Sequence, residues 1–215
     1  RTVLLQGAFW IAVYILIVLA PLLILMVGSR PPGRDFLREF SVALGFAGLA
    51  MMALQFVLTA RFQKLKAPYG SDIVYHFHRQ ISLVAFTLIL AHPILLFIND
   101  ISTLRLLNLL EAPWRARAGV TALLGFALVI ALSLWRKRLN LDYTKWRITH
   151  SLFATLAIIL AMTHVILVGH YINTPLKQAL WITYGVFWIS LLVYVRVLKP
   201  FMMLRRPYRI EKVIP

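Results

Sequence analysis

Six stretches of about twenty apolar residues dominate the chain, each close to the length a helix needs to cross about 30 Å of hydrocarbon. They run Ala8 to Val27, Phe40 to Ala60, Ile81 to Ile98, Ala118 to Trp135, Ile148 to Val168 and Ala179 to Leu198. With 61% hydrophobic residues, 14% charged residues and a mean hydropathy of +0.81, a water-soluble fold would leave too much apolar surface exposed. The expectation is an all-α integral membrane protein, a six-transmembrane-helix bundle in contact with the lipid bilayer. The first run is too long for a cleaved leader and lacks a small-residue cleavage site, so it is read as a span. The third and fifth helices are expected to begin before their apolar runs.

The net charge of +16 is distributed by side. Arg61, Lys64, Lys66 and Arg79, then Arg136, Lys137, Arg138, Lys145 and Arg147, then Arg196, Lys199, Arg205, Arg206, Arg209 and Lys212 fall on one side. Arg30, Arg34, Arg38, Arg105, Arg115, Arg117 and Lys177 fall on the other. Basic residues accumulate on the cytoplasmic face, so the richer side is read as inside and both termini as cytoplasmic, in a bacterial inner (plasma) membrane. The charge is explained by topology and anionic lipid, with no nucleic-acid partner. There is no cysteine, which excludes disulfides, cysteine-ligated iron–sulfur clusters and thioether-linked haem.

Two pairs of histidines lie in or just before the apolar runs, and the members of each pair are fourteen residues apart: His78 and His92, and His150 and His164. Fourteen residues rise about 21 Å and fall about 40° short of four whole turns, so each pair shares one helix face with one member towards each side of the membrane. Histidine within a span is costly and acts as ligand, proton relay or helix-to-helix bond. Packing bonds do not call for the same separation twice, and a transporter would carry carboxylates in its spans, whereas the six runs contain no Asp or Glu. The pattern fits two b-type haems stacked across the bilayer, with His78, His92, His150 and His164 as the metal ligands. Pairing by depth gives an inner haem between His78 and His150 and an outer one between His92 and His164.

His76 is about 200° round from His78 and His170 about 240° from His164, so neither shares the ligand stripe. Arg79 and Arg147 stand beside the inner ligands as candidate partners of the haem propionates. Arg115, Arg117 and Tyr171 are candidates at the outer haem, and Phe86 and Phe153 for the space between the macrocycles. Pro93 directly follows an outer ligand and is expected to kink the third helix.

These residues resemble the ferric reductase-like transmembrane domain shared by ferric reductases and NADPH oxidases, in a bacterial-type member. The carriers are His78-Arg79 through Ala91-His92-Pro93, and Trp146-Arg147-Ile148-Thr149-His150 through Thr163-His164. The stretch Tyr194-Val195-Arg196 through Lys199-Pro200, then Arg205-Arg206-Pro207-Tyr208-Arg209-Ile210, is similar to that family's junction with a cytoplasmic flavin domain. The resemblance implies that NAD(P)H reduces FAD on a cytoplasmic dehydrogenase domain and that electrons cross through both haems to an acceptor outside. It divides the chain into a haem-binding membrane domain, 1–200, and a junction, 201–215. The chain starts without methionine and ends in a basic, strand-like stretch from Tyr208 to Ile214, as expected of a fragment of a longer protein.

An iron with histidine on both faces has no vacant position, so its acceptor is reduced at the haem edge, which suits a ferric chelate or dioxygen. Eukaryotic NADPH oxidases place a further histidine one turn beyond the outer ligand and an arginine in the second helix. Here those places hold Leu96 and no charge between Phe40 and Ala60, which favours a ferric-reductase role over dedicated superoxide production. The other readings are a superoxide-producing NADPH oxidase proper, a haem-bearing membrane subunit serving a separate reductase, and a non-haem transporter or scaffold.

Overall fold

In the computed structural model, which describes residues 2–59 and 70–205, the chain is helical and without strands among the described residues. The long helices are α1 (Thr2–Leu25), α2 (Phe36–Thr59), α3 (Gly70–Asn99), α4 (Trp114–Leu134), α5 (Tyr143–Val168) and α6 (Pro175–Val193). A π-helical turn, Tyr194–Leu198, carries α6 directly into a short α7, Lys199–Arg205. All six apolar runs are thus helices long enough to span a membrane. As expected, α3 and α5 begin well before their apolar runs, and α3 continues through Pro93 to Asn99. The loop cations Arg61, Lys64 and Lys66, and the strand-like stretch from Tyr208 to Ile214, lie outside the described residues.

Local chemistry explains where the helices start and stop. The Asp142 carboxylate accepts from the Thr144 and Lys145 amides at 2.9 and 3.0 Å and opens α5; Gly169, at φ 66°, closes it in the left-handed conformation. Thr174 caps α6 and Pro175 occupies its first turn, where a missing N–H costs nothing. A 3₁₀ turn, Ile101–Leu107, follows α3 and is capped by Asp100. At the far end of α6 the π-turn ends two residues before Pro200, which has no N–H to offer the Arg196 carbonyl.

The bundle is two tightly packed antiparallel pairs, α2 with α3 and α4 with α5. Gly48 lets α2 and α3 close up, since a Cβ there would stand 2.9 Å from the Ala85 carbonyl oxygen and 2.8 Å from Ile89 Cγ1. Gly125 does the same for α4 against Ala157 of α5. By contrast α3 and α5 make almost no backbone-level contact with each other. The opposite face of α2 meets α1 and α6 in an aromatic core, where Phe46 lies 5.2 Å from the Trp181 ring and 6.2 Å from Tyr171. Tyr184 on α6 donates to the Ile17 carbonyl of α1 at 2.8 Å. The fully buried Lys177 donates to the Ser29 carbonyl at 2.8 Å and to Asn173 Oδ1 at 3.3 Å, tying the α1–α2 loop to the start of α6.

Large apolar side chains cover the outside: Phe9, Phe36, Ile98, Ile148, Ile182 and Leu204 are all more than half exposed. In water so continuous an apolar exterior would drive aggregation; in lipid it is the natural solvent-facing surface. With its six apolar helices, the chain is an integral membrane protein.

Candidate haem-binding site

Across the gap between α3 and α5 the four histidines meet in two pairs. His78 faces His150 with ring centroids 6.4 Å apart, and His92 faces His164 at 6.5 Å. An imidazole nitrogen binds a metal at about 2.0 Å and sits about 1.1 Å from its ring centroid, so two rings on opposite sides of one metal have centroids about 6.2 Å apart. Both pairs stand close to that spacing. The helices reach it because α3 and α5 each pack on a different partner and leave the space between them to side chains.

The proton on each ring can be placed from its neighbours. His164 Nδ1 lies 2.7 Å from the Arg115 carbonyl oxygen, which can only accept. His92 Nδ1 lies 3.0 Å from the Ser41 carbonyl, and the Ser41 hydroxyl is itself donated to the His92 carbonyl at 2.9 Å. His150 Nδ1 lies 3.0 Å from Ser133 Oγ, whose own proton goes to the Val129 carbonyl at 2.7 Å. His78 Nδ1 lies 2.9 Å from Gln55 Oε1, and the Gln55 amide is oriented by a bond from Nε2 to the Met51 carbonyl at 3.0 Å. All four rings therefore donate from Nδ1 and keep the Nε2 lone pair, which is the tautomer a metal requires. Room for the rings is made by glycine: a Cβ on Gly119 would stand 2.7 Å from His164 Nδ1, and one on Gly45 3.2 Å from His92 Cγ.

The number of donors limits what can bind. Each pair offers two nitrogens, and the described residues contain no cluster of three or more His, Asp or Glu that could hold a bare metal ion. Two opposed nitrogens suit a metal that brings its own equatorial ligands, as haem iron does. A further observation fits that group: the Trp146 ring lies 5.2 Å from His150, and its indole N–H is buried without an acceptor, leaving a free donor beside this pair.

The remaining candidates are placed as follows. Arg79 and Arg147 are exposed at the His78–His150 end, Arg147 with its guanidinium 5.9 Å from the Tyr143 ring. At the other end, Arg117 is committed to its own loop, bonding the Ala112 and Leu110 carbonyls at 2.6 Å each and stacking on Trp114, while Arg115 contributes its carbonyl. His76 is exposed and in neither pair. His170 packs 4.7 Å from the Tyr171 ring; burial and then the nearby Arg34 hold its pKa below the ordinary value, and burial pushes the Tyr171 hydroxyl up to about 12. Phe86 packs against the core cluster, and Phe153 is half-buried on α5. Sequence reasoning missed Ser41, Gln55, Ser133 and the two glycines. The first two carried a signal, being fourteen residues apart on α2 like the histidines they serve.

The sequence matches the family described as "Ferric reductase like transmembrane component" over residues 44–161, more than half of the chain. The matched stretch carries His78, His92 and His150, and His164 lies three residues beyond it. No curated protein matches the chain significantly. A match of that extent, on a six-span bundle of this kind, means that the chain belongs to the ferric reductase-like transmembrane component family.

Proposed function

We propose that this chain is the haem-bearing membrane portion of an NAD(P)H-dependent reductase. Electrons from NAD(P)H, by way of FAD on a cytoplasmic dehydrogenase domain, would cross two bis-histidine haems b to a ferric chelate or dioxygen on the far side. The observation that carries this reading is the geometry of the two histidine pairs, each spaced for one metal and each with both Nε2 lone pairs free. Haem, when bound, supplies a one-electron carrier. The protein's part is to hold the four rings by their Nδ1 protons, to keep the two sites about 21 Å apart along the helices, and to exclude water from the gap. Arg79, Arg147 and the Trp146 indole are the side chains suited to the haem carboxylates at the His78–His150 site, and Arg115 and Tyr171 at the other.

The test is vectorial. Haem-loaded chain is reconstituted in vesicles with an impermeant ferric chelate inside and dithionite outside. Wild-type vesicles should reduce the trapped chelate at least tenfold faster than vesicles carrying His164→Leu, which keeps one haem. Equal rates would rule out a two-haem conduit.

A further inference from the structure

The acceptors behind the four histidines are not of one kind. At the His92–His164 site a main-chain carbonyl stands behind each ring, that of Arg115 and that of Ser41, whose hydroxyl oxygen also lies 3.0 Å from His92 Nδ1. At the His78–His150 site no main-chain carbonyl stands behind either ring, and the acceptors are the Gln55 amide oxygen and the Ser133 hydroxyl. Neither side chain is free to turn away. Gln55 is 5% exposed and tethered to Met51 one turn back, and Ser133 is tethered to Val129 in the same manner. A main-chain carbonyl stays in place whatever residue carries it, whereas a side-chain acceptor exists only for as long as the residue does.

We propose that Gln55 and Ser133 are the positioning residues of the His78–His150 haem, fixing its ligands in the Nδ1–H form and setting its reduction potential independently of the other haem. This rests on the haem reading above. An acceptor on Nδ1–H makes imidazole a stronger donor through Nε2. Stronger donation favours the ferric over the ferrous state, so loss of the acceptor raises the potential. The lost partner also leaves a buried N–H unsatisfied and the ring free to rotate.

The experiment is a spectroelectrochemical titration of the purified haem-loaded chain, with low-temperature electron paramagnetic resonance of the ferric state, for wild type, Ser133→Ala, Ser133→Thr and Gln55→Leu. A parallel His164→Leu sample, which lacks the other haem, shows which component belongs to His78–His150. In Ser133→Ala and Gln55→Leu that component should favour the reduced state threefold to tenfold more, tenfold being about 59 mV for one electron. Its resonance signal should shift, the other component should stay in place, and Ser133→Thr, which keeps the hydroxyl, should titrate like wild type. If Gln55→Leu fails to fold, Ser133→Ala, which deletes a single atom, carries the test. Two haems with unmoved potentials, or a common shift of both, would overturn the assignment of Gln55 and Ser133 alone. Wild-type protein that takes up no haem would overturn the haem reading and this assignment together.

Discussion

A histidine is readied to bind a metal when its other nitrogen is hydrogen-bonded, and here groups on two neighbouring helices, α2 and α4, accept from all four rings. The glycines opposite the rings matter as much as the acceptors. Gly119→Val would put a branched side chain where a single Cβ already comes within 2.7 Å of His164 Nδ1. The ring must then move, at a cost of about 1–3 kcal/mol if the protein accommodates it by overpacking. We expect Gly119→Val to bind one haem per chain instead of two, with the His78–His150 haem spectrum intact, as read by pyridine haemochrome and difference spectra; two haems in this variant would show that the ring has slack. The meeting of the four histidines in two pairs was legible in the sequence because spacing on a helix is geometry. Their acceptors were not, because Ser41, Gln55, Ser133 and the Arg115 carbonyl become partners only once it is known which helices adjoin. Arg117 shows the converse, since its sequence position suited a haem carboxylate yet its guanidinium is bonded to its own loop.

At the scale of the element, hydropathy located all six spans but understated their ends. Polar first turns such as Tyr143 to Arg147 and Gly70 to Arg79 are helical because they are capped or continuous with a span, and periodicity of apolar residues does not report that. The Asp142 cap sets the start of α5, two turns before His150. The Lys145 and Thr144 amides hold its carboxyl below the ordinary range, with Lys145 the larger influence. A depressed folded pKa means that the cap's contribution is complete above the unfolded value of about 3.9 and disappears as pH falls through the lower folded value. Asp142→Ala should therefore melt at a lower temperature than wild type by a constant margin between about pH 6 and 8, and the margin should close in acid as the folded carboxyl becomes protonated. Thermal melts across pH read this directly, and a margin that persists in acid would mean that the carboxylate is not the source. The role of α2 was the least visible from sequence. It reads as one more apolar span, yet it carries two of the acceptors on one face and the Phe46 contact to Trp181 on the other.

For the molecule as a whole, the architecture follows from two packed helix pairs whose histidine-bearing members face each other without touching. Close packing at Gly48 and Gly125 holds each pair rigid, so the width of the gap between α3 and α5 is set by the bundle and not by the rings. A protein built in this way should present two histidine pairs of fixed spacing whether or not a flavin domain is attached. The most direct measurement is the dithionite-reduced minus oxidised spectrum of the purified chain, with haem counted per polypeptide. Two low-spin b-type haems, falling to one in His164→Leu, is the predicted result. Haem-free protein after expression with haem supplied, or two haems retained in His164→Leu, would contradict it.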